Sequence, residues 1–99
     1  MSRLSFRVRF IGQPDRAPVV VSGRDAWAVE QLVQAGEKGC TPMDTPGPRW
    51  SGYVFNLRRA GVDVETIHEP HKGQFPGCHA RYVLRSRIRL ETIEDALIA

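Results

Sequence analysis

The stretch from Arg49 to Leu84 constrains the fold of this 99-residue chain more than any other. It opens with apolar residues at the i, i+3, i+4, i+7 spacing of one helix face, namely Trp50, Tyr53, Val54 and Leu57. Gly61 is the residue type that ends helices in the left-handed conformation, so a helix is predicted from about 48 to 60. Two β-type runs follow, at residues 62–67 and 79–90, with a polar loop at 68–78 between them. The pattern predicts a helix followed by a β-hairpin.

The N-terminal part of the sequence predicts a second hairpin. Residues 4–10 alternate apolar and polar side chains, which is typical of a half-buried strand. A turn-rich segment follows, and then the β-branched run 19–21. Residues 3–22 are therefore predicted to form an N-terminal β-hairpin.

The segment between this hairpin and Arg49 predicts one full helix and one short one. Apolar residues at helical spacing predict a helix from 23 to 35. Ser22 and Asp25 stand three positions apart, so we expect them to cap its start as a hydroxyl and carboxylate pair. Thr41 is a second capping residue, but closely spaced prolines limit the helix after it to about one turn at residues 42–46.

Length and composition limit the class of protein. A chain of 99 residues with 41% hydrophobic residues supports one domain and one modest core. No apolar run approaches the length of a bilayer span, and the N-terminus lacks the apolar core of a secretory signal. We therefore expect a cytoplasmic protein without membrane contact, in which Cys40 and Cys78 are free thiols.

The positive charge of the chain is mild but clustered. The net charge is +3, and twelve of the fourteen cations are arginines. Residues 48–60 carry three cations and no acid, and residues 81–90 carry four and none. The guanidinium fork suits phosphate oxygens and guanine edges better than an ammonium group does. The alternative interpretation is ordinary solvated surface charge.

From Trp27 to Leu84 the chain resembles the winged helix-turn-helix family. Gly39-Cys40-Thr41 lies where such domains enter their second helix, and Val54 to Gly61 is similar to the end of a recognition helix. Residues 62–64 and 80–84 resemble the two wing strands, the second with an Ala-Arg-Tyr sequence found in small bacterial and phage-type members. The resemblance implies an α+β winged helix-turn-helix with an added N-terminal β-hairpin. It makes double-stranded DNA the expected partner and a small transcriptional or nucleoid regulator the expected function.

Residues 1–99 are accordingly expected to form a single winged-helix domain. Its predicted parts are a hairpin at 1–22, a helical part at 23–61, wing strands at 62–90 and an acidic tail at 91–99, with a short helix in that tail.

The resemblance assigns DNA contacts to the predicted helix 48–60 and to the wing. Arginine bonds guanine bidentately and asparagine does the same with adenine, while wing contacts position the protein on the backbone. A glycine at position 52 would let the backbone approach phosphates closely. The helix residues expected to contact DNA are Arg49, Ser51, Asn56 and Arg59, and the wing residues are Lys72, Gln74 and Arg81, with His71 and His79 as additional candidates.

Two other surfaces leave alternatives open. Phe55 lies on the outward face of the same predicted helix, so a winged-helix module that binds a protein or a second copy, without DNA, is the alternative function. If the first and last strands pair, a group of arginines aligns on one sheet face, either as a phosphate track or as a solvent face balanced by the acidic tail Glu91, Glu94 and Asp95. These arginines are Arg7, Arg9, Arg85, Arg87 and Arg89.

Enzymatic and metal functions find little support in the sequence. The cluster His68, His71, Cys78 and His79 has ligand-type side chains, but its spacing fits no standard zinc finger. The chain has no glycine-rich phosphate loop and no nucleophile elbow. We expect no catalytic residues, no metal and no cofactor.

Overall fold

The computed structural model describes residues 4–47, 49–71 and 77–93. Its elements, in chain order, are β1 (Ser5–Phe10), β2 (Val19–Ser22), α1 (Gly23–Ala35), a 3₁₀ turn (Gly36–Lys38), α2 (Trp50–Arg59), β3 (Val64–His71), β4 (Gly77–Leu84) and β5 (Ile88–Thr92). Two helices combined with antiparallel sheets confirm the predicted α+β class and the predicted N-terminal hairpin.

The first sheet has the strand order β2-β1-β5, and both pairings are antiparallel. Alternation along β1 turns Phe6, Val8 and Phe10 into the core, as the period-two pattern predicts. The predicted N-terminal hairpin is therefore the centre and one edge of a three-stranded sheet, with β5 at the other edge.

The prediction of one long strand from 79 to 90 is wrong. The chain leaves β4 after Leu84 and re-enters a strand only at Ile88, in the other sheet. Asp63 stabilises the non-strand segment between Leu84 and Ile88. Its carbonyl accepts a hydrogen bond from the Arg85 amide at 2.8 Å, and its amide donates to the Ser86 hydroxyl at 2.8 Å. The periodicity of 79–90 is continuous, so nothing in it shows that the two halves pair with different partners.

The second sheet is the two-stranded hairpin β3–β4, which is longer than predicted. Its register runs from Val64 opposite Leu84 to His71 opposite Gly77, so most of the predicted loop at 68–78 is paired strand. Pro70 lacks an amide donor, but both strands of a two-stranded sheet are edges where proline is tolerated. The proline and glycine residues of this segment therefore led to the prediction of a loop where the chain forms paired strands.

Both predicted helices are present, but the predicted cap of the first is wrong. No side chain caps α1, because the Ser22 hydroxyl hydrogen-bonds that of Ser5 at 2.9 Å instead. The predicted single turn after Thr41 is confirmed. The Thr41 hydroxyl accepts the amides of Met43 and Asp44 at 3.2 and 2.9 Å, and its carbonyl accepts the Thr45 amide at 2.9 Å.

An aromatic cluster joins the helices to the base of the β3–β4 hairpin. Trp27 of α1 lies 5.5 Å from the ring of Trp50 in α2, and Trp50 stacks on Tyr82 of β4 at 5.8 Å. The Tyr53 ring contacts both tryptophan rings edge to face, with centroid distances of 6.2 Å. Aromatic pairs in such geometries stabilise the fold beyond what the burial of their apolar area contributes. The cluster therefore fixes the position of α2 against the hairpin.

Candidate nucleic-acid interface

The buried stripe of α2 determines which side chains point outward. Trp50, Tyr53, Val54 and Leu57 are all buried, and Leu57 is fully inaccessible. The Trp50 indole also donates to the Thr45 carbonyl at 2.7 Å, which ties the start of α2 to the preceding turn. The opposite face is consequently exposed, and it carries Ser51, Asn56 and Arg59 of the residues predicted to contact DNA. Arg49, predicted to lie within the helix, is the exposed N-cap residue just before it.

The C-terminal end of α2 is held by two arginines that the sequence did not single out for this role. Arg58 donates to the Val64 carbonyl at 2.7 Å and to the Thr66 hydroxyl at 2.8 Å, so it joins α2 to β3. Arg16, from the β1–β2 loop, donates to the Gly61 carbonyl at 2.6 Å. Gly61 has a φ of +96°, which confirms the predicted left-handed helix end. Arg16 is remote in sequence from Gly61, so no local pattern identifies it.

An open groove runs along the outward face of α2. Its lining combines most of the predicted helix contacts with Phe55 and Gly52: Arg49, Ser51, Gly52, Tyr53, Phe55 and Asn56. A Cβ atom built at Gly52 would meet only the Cβ of Arg49, at 3.8 Å, so the backbone of α2 is openly accessible there. The groove therefore offers guanidinium, hydroxyl and amide groups around one exposed aromatic ring.

The ion pairs separate the arginines of the chain into groups. Five of them contact carboxylates in the structure, namely Arg7, Arg9, Arg81, Arg85 and Arg89. Arg16 and Arg58 are bound to backbone carbonyls. Within residues 4–47, 49–71 and 77–93, four arginines have neither kind of partner, namely Arg24, Arg49, Arg59 and Arg87. Of these, Arg49 and Arg59 belong to the surface of α2, and the Arg59 guanidinium lies 5.7 Å from the Phe55 ring centroid. Two outward guanidinium groups on α2 are thus available to an anion.

Asn56 has a contact that the sequence did not predict. Its side-chain amide donates to the Asp25 carboxylate at 3.2 Å, which links the outward face of α2 to the first turn of α1. Asp25 was expected to cap α1, and it contacts α2 instead. The carboxylate orients the amide group of Asn56, and within the described residues the side-chain carbonyl oxygen of Asn56 accepts no hydrogen bond.

Arg81, predicted to contact DNA from the wing, is occupied within the structure. Its guanidinium contacts Glu69 at 2.7 Å, donates to the Lys38 carbonyl at 2.8 Å and lies 3.8 Å from Asp44. The hydrogen bond from Arg81 lowers the pKa of Glu69, and His79 contributes through its own contact with that carboxylate at 3.0 Å. Through these contacts, Arg81 joins the β3–β4 hairpin to the segment after α1. The predicted contacts Lys72 and Gln74 lie outside the described residues.

The histidine and cysteine cluster does not converge in the part of the chain that the structure describes. His68 and His79 occupy register positions of opposite parity on the β3–β4 hairpin, so they lie on opposite faces of it. Among the described residues no group of three or more potential metal ligands comes together. Cys40 is buried and Cys78 exposed, and both are free thiols; burial raises the pKa of Cys40.

The second basic surface, on β1 and β5, is partly neutralised. These strands pair as expected, and Arg9 stands directly opposite Arg89. Glu91 contacts Arg9 at 2.8 Å, Arg89 at 3.5 Å and Arg7 at 3.7 Å, and the hydrogen bond from Arg9 is the main reason that the pKa of Glu91 is lowered. Arg85 pairs with Glu65 at 2.6 Å instead. Glu91 thus balances this face as the solvent interpretation expected, while Glu94 and Asp95 lie outside the described residues.

Comparison with known proteins supports the architecture. Residues 18–94 match the sequence profile of the family described as "Winged helix domain", which covers β2, both helices, the β3–β4 hairpin and β5. No curated protein and no solved structure matches the chain. None of the described helices is long and apolar enough to cross a membrane. The order of α1, the Thr41 turn, α2 and the β3–β4 hairpin is that of a helix-turn-helix with its wing, and the chain belongs to the winged helix domain family.

Proposed function

We propose that this chain binds double-stranded DNA as a small transcriptional or nucleoid regulator, through the outward face of α2 and the β3–β4 hairpin. Winged-helix domains are commonly DNA-binding modules. One observation carries the proposal for this chain: Arg49 at the N-cap of α2 and Arg59 in its last turn are both exposed and, within the described residues, meet no carboxylate, although five other arginines do. Because these two guanidinium groups are not neutralised within the described residues, they can bind an anion from another molecule, such as a DNA phosphate.

The geometry of α2 fits insertion into the major groove. The groove of B-DNA accommodates one α-helix, and the outward side chains of that helix reach the base edges. In the proposed complex, Arg49 and Arg59 contact guanine or phosphate, and Asn56 contacts adenine. The first turn of α2 carries no acid, so its free amide groups and helix dipole favour a nearby phosphate. Arg58 joins the β3–β4 hairpin to α2. In the proposed complex, the hairpin contacts the DNA backbone next to the groove that α2 enters.

The salt dependence of duplex binding tests this function. Fluorescence anisotropy with a pool of labelled genomic fragments is expected to show binding at about 50 mM salt that weakens steeply by about 200 mM, because each neutralised phosphate contributes roughly −0.9 to the log–log slope. A matched single-stranded pool controls for nonspecific attraction. Absence of duplex binding at the lower salt concentration contradicts the proposal and favours the protein-interaction module, which the exposure of Phe55 motivates.

Replacement of Gly52 is expected to change stability and binding in opposite directions. Gly52→Ala should raise the free energy of unfolding by about 0.5–1 kcal/mol, because alanine is the better helix former and its methyl group enters open space. Duplex affinity should fall, because that methyl group keeps the backbone of α2 from approaching the DNA. Urea denaturation and anisotropy on the same sample measure both effects. Gln34→Ala, at an exposed position of α1 outside this surface, serves as the control and should leave duplex affinity unchanged. Unchanged affinity of Gly52→Ala would show that the backbone stays away from the duplex.

A further inference from the structure

Phe55 is an exposed aromatic ring in an otherwise polar and basic setting. Its side chain is 59% exposed in the middle of α2, whereas the other aromatic residues of this helix are buried. Exposing a ring of this size to water forgoes the stabilisation that burial would give it. The groove around it is lined by Arg49, Ser51 and Asn56, so the ring lies among the groups proposed to meet DNA. A binding partner must therefore offer an apolar group next to hydrogen-bond acceptors.

The neighbours of Phe55 restrain the ring and its surroundings. Arg59, one turn further along α2, places its guanidinium 5.7 Å from the ring centroid, within the range of a cation–π contact. Asn56 is held by Asp25 through the 3.2 Å hydrogen bond. The ring consequently stands beside an arginine that faces the same side of the helix.

Charge argues against a second copy of the chain as the partner of Phe55. A symmetric dimer centred on this ring would place the same patch against itself. Arg49 and Arg59 of one copy would then face those of the other, and like charges repel. In the described ranges, Asp25 is the one carboxylate hydrogen-bonded to the outward face of α2, so a dimer would set two such carboxylates, each already bonded to Asn56, against four guanidinium groups. A polyanion with apolar groups is the complementary partner.

We propose that Phe55 is a specificity-determining residue that contacts the 5-methyl group of thymine in the major groove. This inference rests on the proposed function, since it names what α2 recognises in the duplex. Thymine displays the only methyl group of the four unmodified bases in that groove, and phenylalanine is among the side chains that contact it. Because Arg59 lies beside the ring, the base pair next to the thymine is read by an arginine, which favours guanine there.

Replacing thymine by deoxyuridine tests this contact, because the substitution removes only the methyl group. A random duplex library is first enriched for binding to the wild-type chain, and the enriched sites are then synthesised with thymine or deoxyuridine. Wild-type affinity is expected to fall about fourfold for each contacted methyl group. Phe55→Ala is expected to bind both versions alike. This comparison also controls for any effect of deoxyuridine on the duplex itself.

Three results would overturn the assignment to thymine, two from duplex binding and one from self-association. One is equal wild-type affinity for the two duplexes, and the other is a Phe55→Ala variant that still discriminates between them. A wild-type dimer in sedimentation velocity that Phe55→Ala converts to monomer would also overturn it in favour of self-association. Failure of the proposed function looks different, since neither duplex would then bind at all. Because Phe55 is exposed, its removal should leave the thermal unfolding transition in place, and circular dichroism checks this.

Discussion

A variant combining Arg49→Ala and Arg59→Ala is expected to lose most of its affinity for duplex DNA. Each arginine should contribute about 1–3 kcal/mol if it reads a base, so the double variant should bind about thirtyfold more weakly or worse. Neither side chain hydrogen-bonds to the described part of the protein, and the ring that Arg59 contacts, Phe55, is itself exposed, so the fold should be unaffected. Anisotropy at fixed low salt measures the loss, and urea denaturation checks the stability.

Loss of positive charge alone must be separated from loss of these two contacts. The control is Arg87→Ala combined with Arg89→Ala, which removes the same two charges from exposed positions at β5 and the segment before it. This control should weaken binding only modestly, through the general electrostatic attraction. Equal losses in the two double variants, or no loss in the first, would reject α2 as the DNA-reading element.

Gly39→Ala is expected to destabilise the fold by about 3 kcal/mol or more, because two penalties add. Gly39 has a φ of +70°, a conformation that disfavours any side chain. A Cβ atom there would also lie 2.5 Å from the Tyr82 carbonyl oxygen and 2.8 Å from the Val83 side chain. Those contacts adjoin the paired amide and carbonyl groups of Cys40 and Tyr82, which tie the segment after α1 to β4 at 2.8 Å. The substitution should therefore loosen the hairpin from the helices.

Gly36 provides the matched control for Gly39. Its φ is +58°, but a Cβ atom built there meets nothing within 4 Å. Gly36→Ala should show the backbone penalty alone, about 1–2 kcal/mol. Urea denaturation of the two variants measures the difference between them. Equal stabilities would mean that the chain relaxes around Gly39 and that the close packing against β4 contributes little.

Local periodicity was sufficient to predict the two helices and the strand β1. The stripe of Trp50, Tyr53, Val54 and Leu57 predicts both the helix and its buried face, and all four are buried. The outward direction of Arg59 follows from the same stripe. Because a helix has a fixed repeat, residues a few positions apart determine which side faces the core.

Contacts between distant segments were the part that the sequence could not predict. Arg81 belonged to the expected DNA surface, but Glu69, Asp44 and the Lys38 carbonyl surround its guanidinium. Arg59, with the same charge, is left without such partners in the described residues. In the sequence, both are arginines opposite the apolar face of a predicted helix or strand. Only the packing of the hairpin against the segment after α1 separates them.

The strand β1, the two helices with their inner faces and the glycine that ends α2 were thus predictable from the sequence, since each depends on neighbours within a few positions. Tertiary structure decided which arginines remain free for a ligand, which strand completes the first sheet, and where Asp25 and Arg16 make their contacts. The physical reason is that hydrogen bonds and ion pairs depend on distance in space, and a linear pattern of residue types does not contain the distances between remote segments.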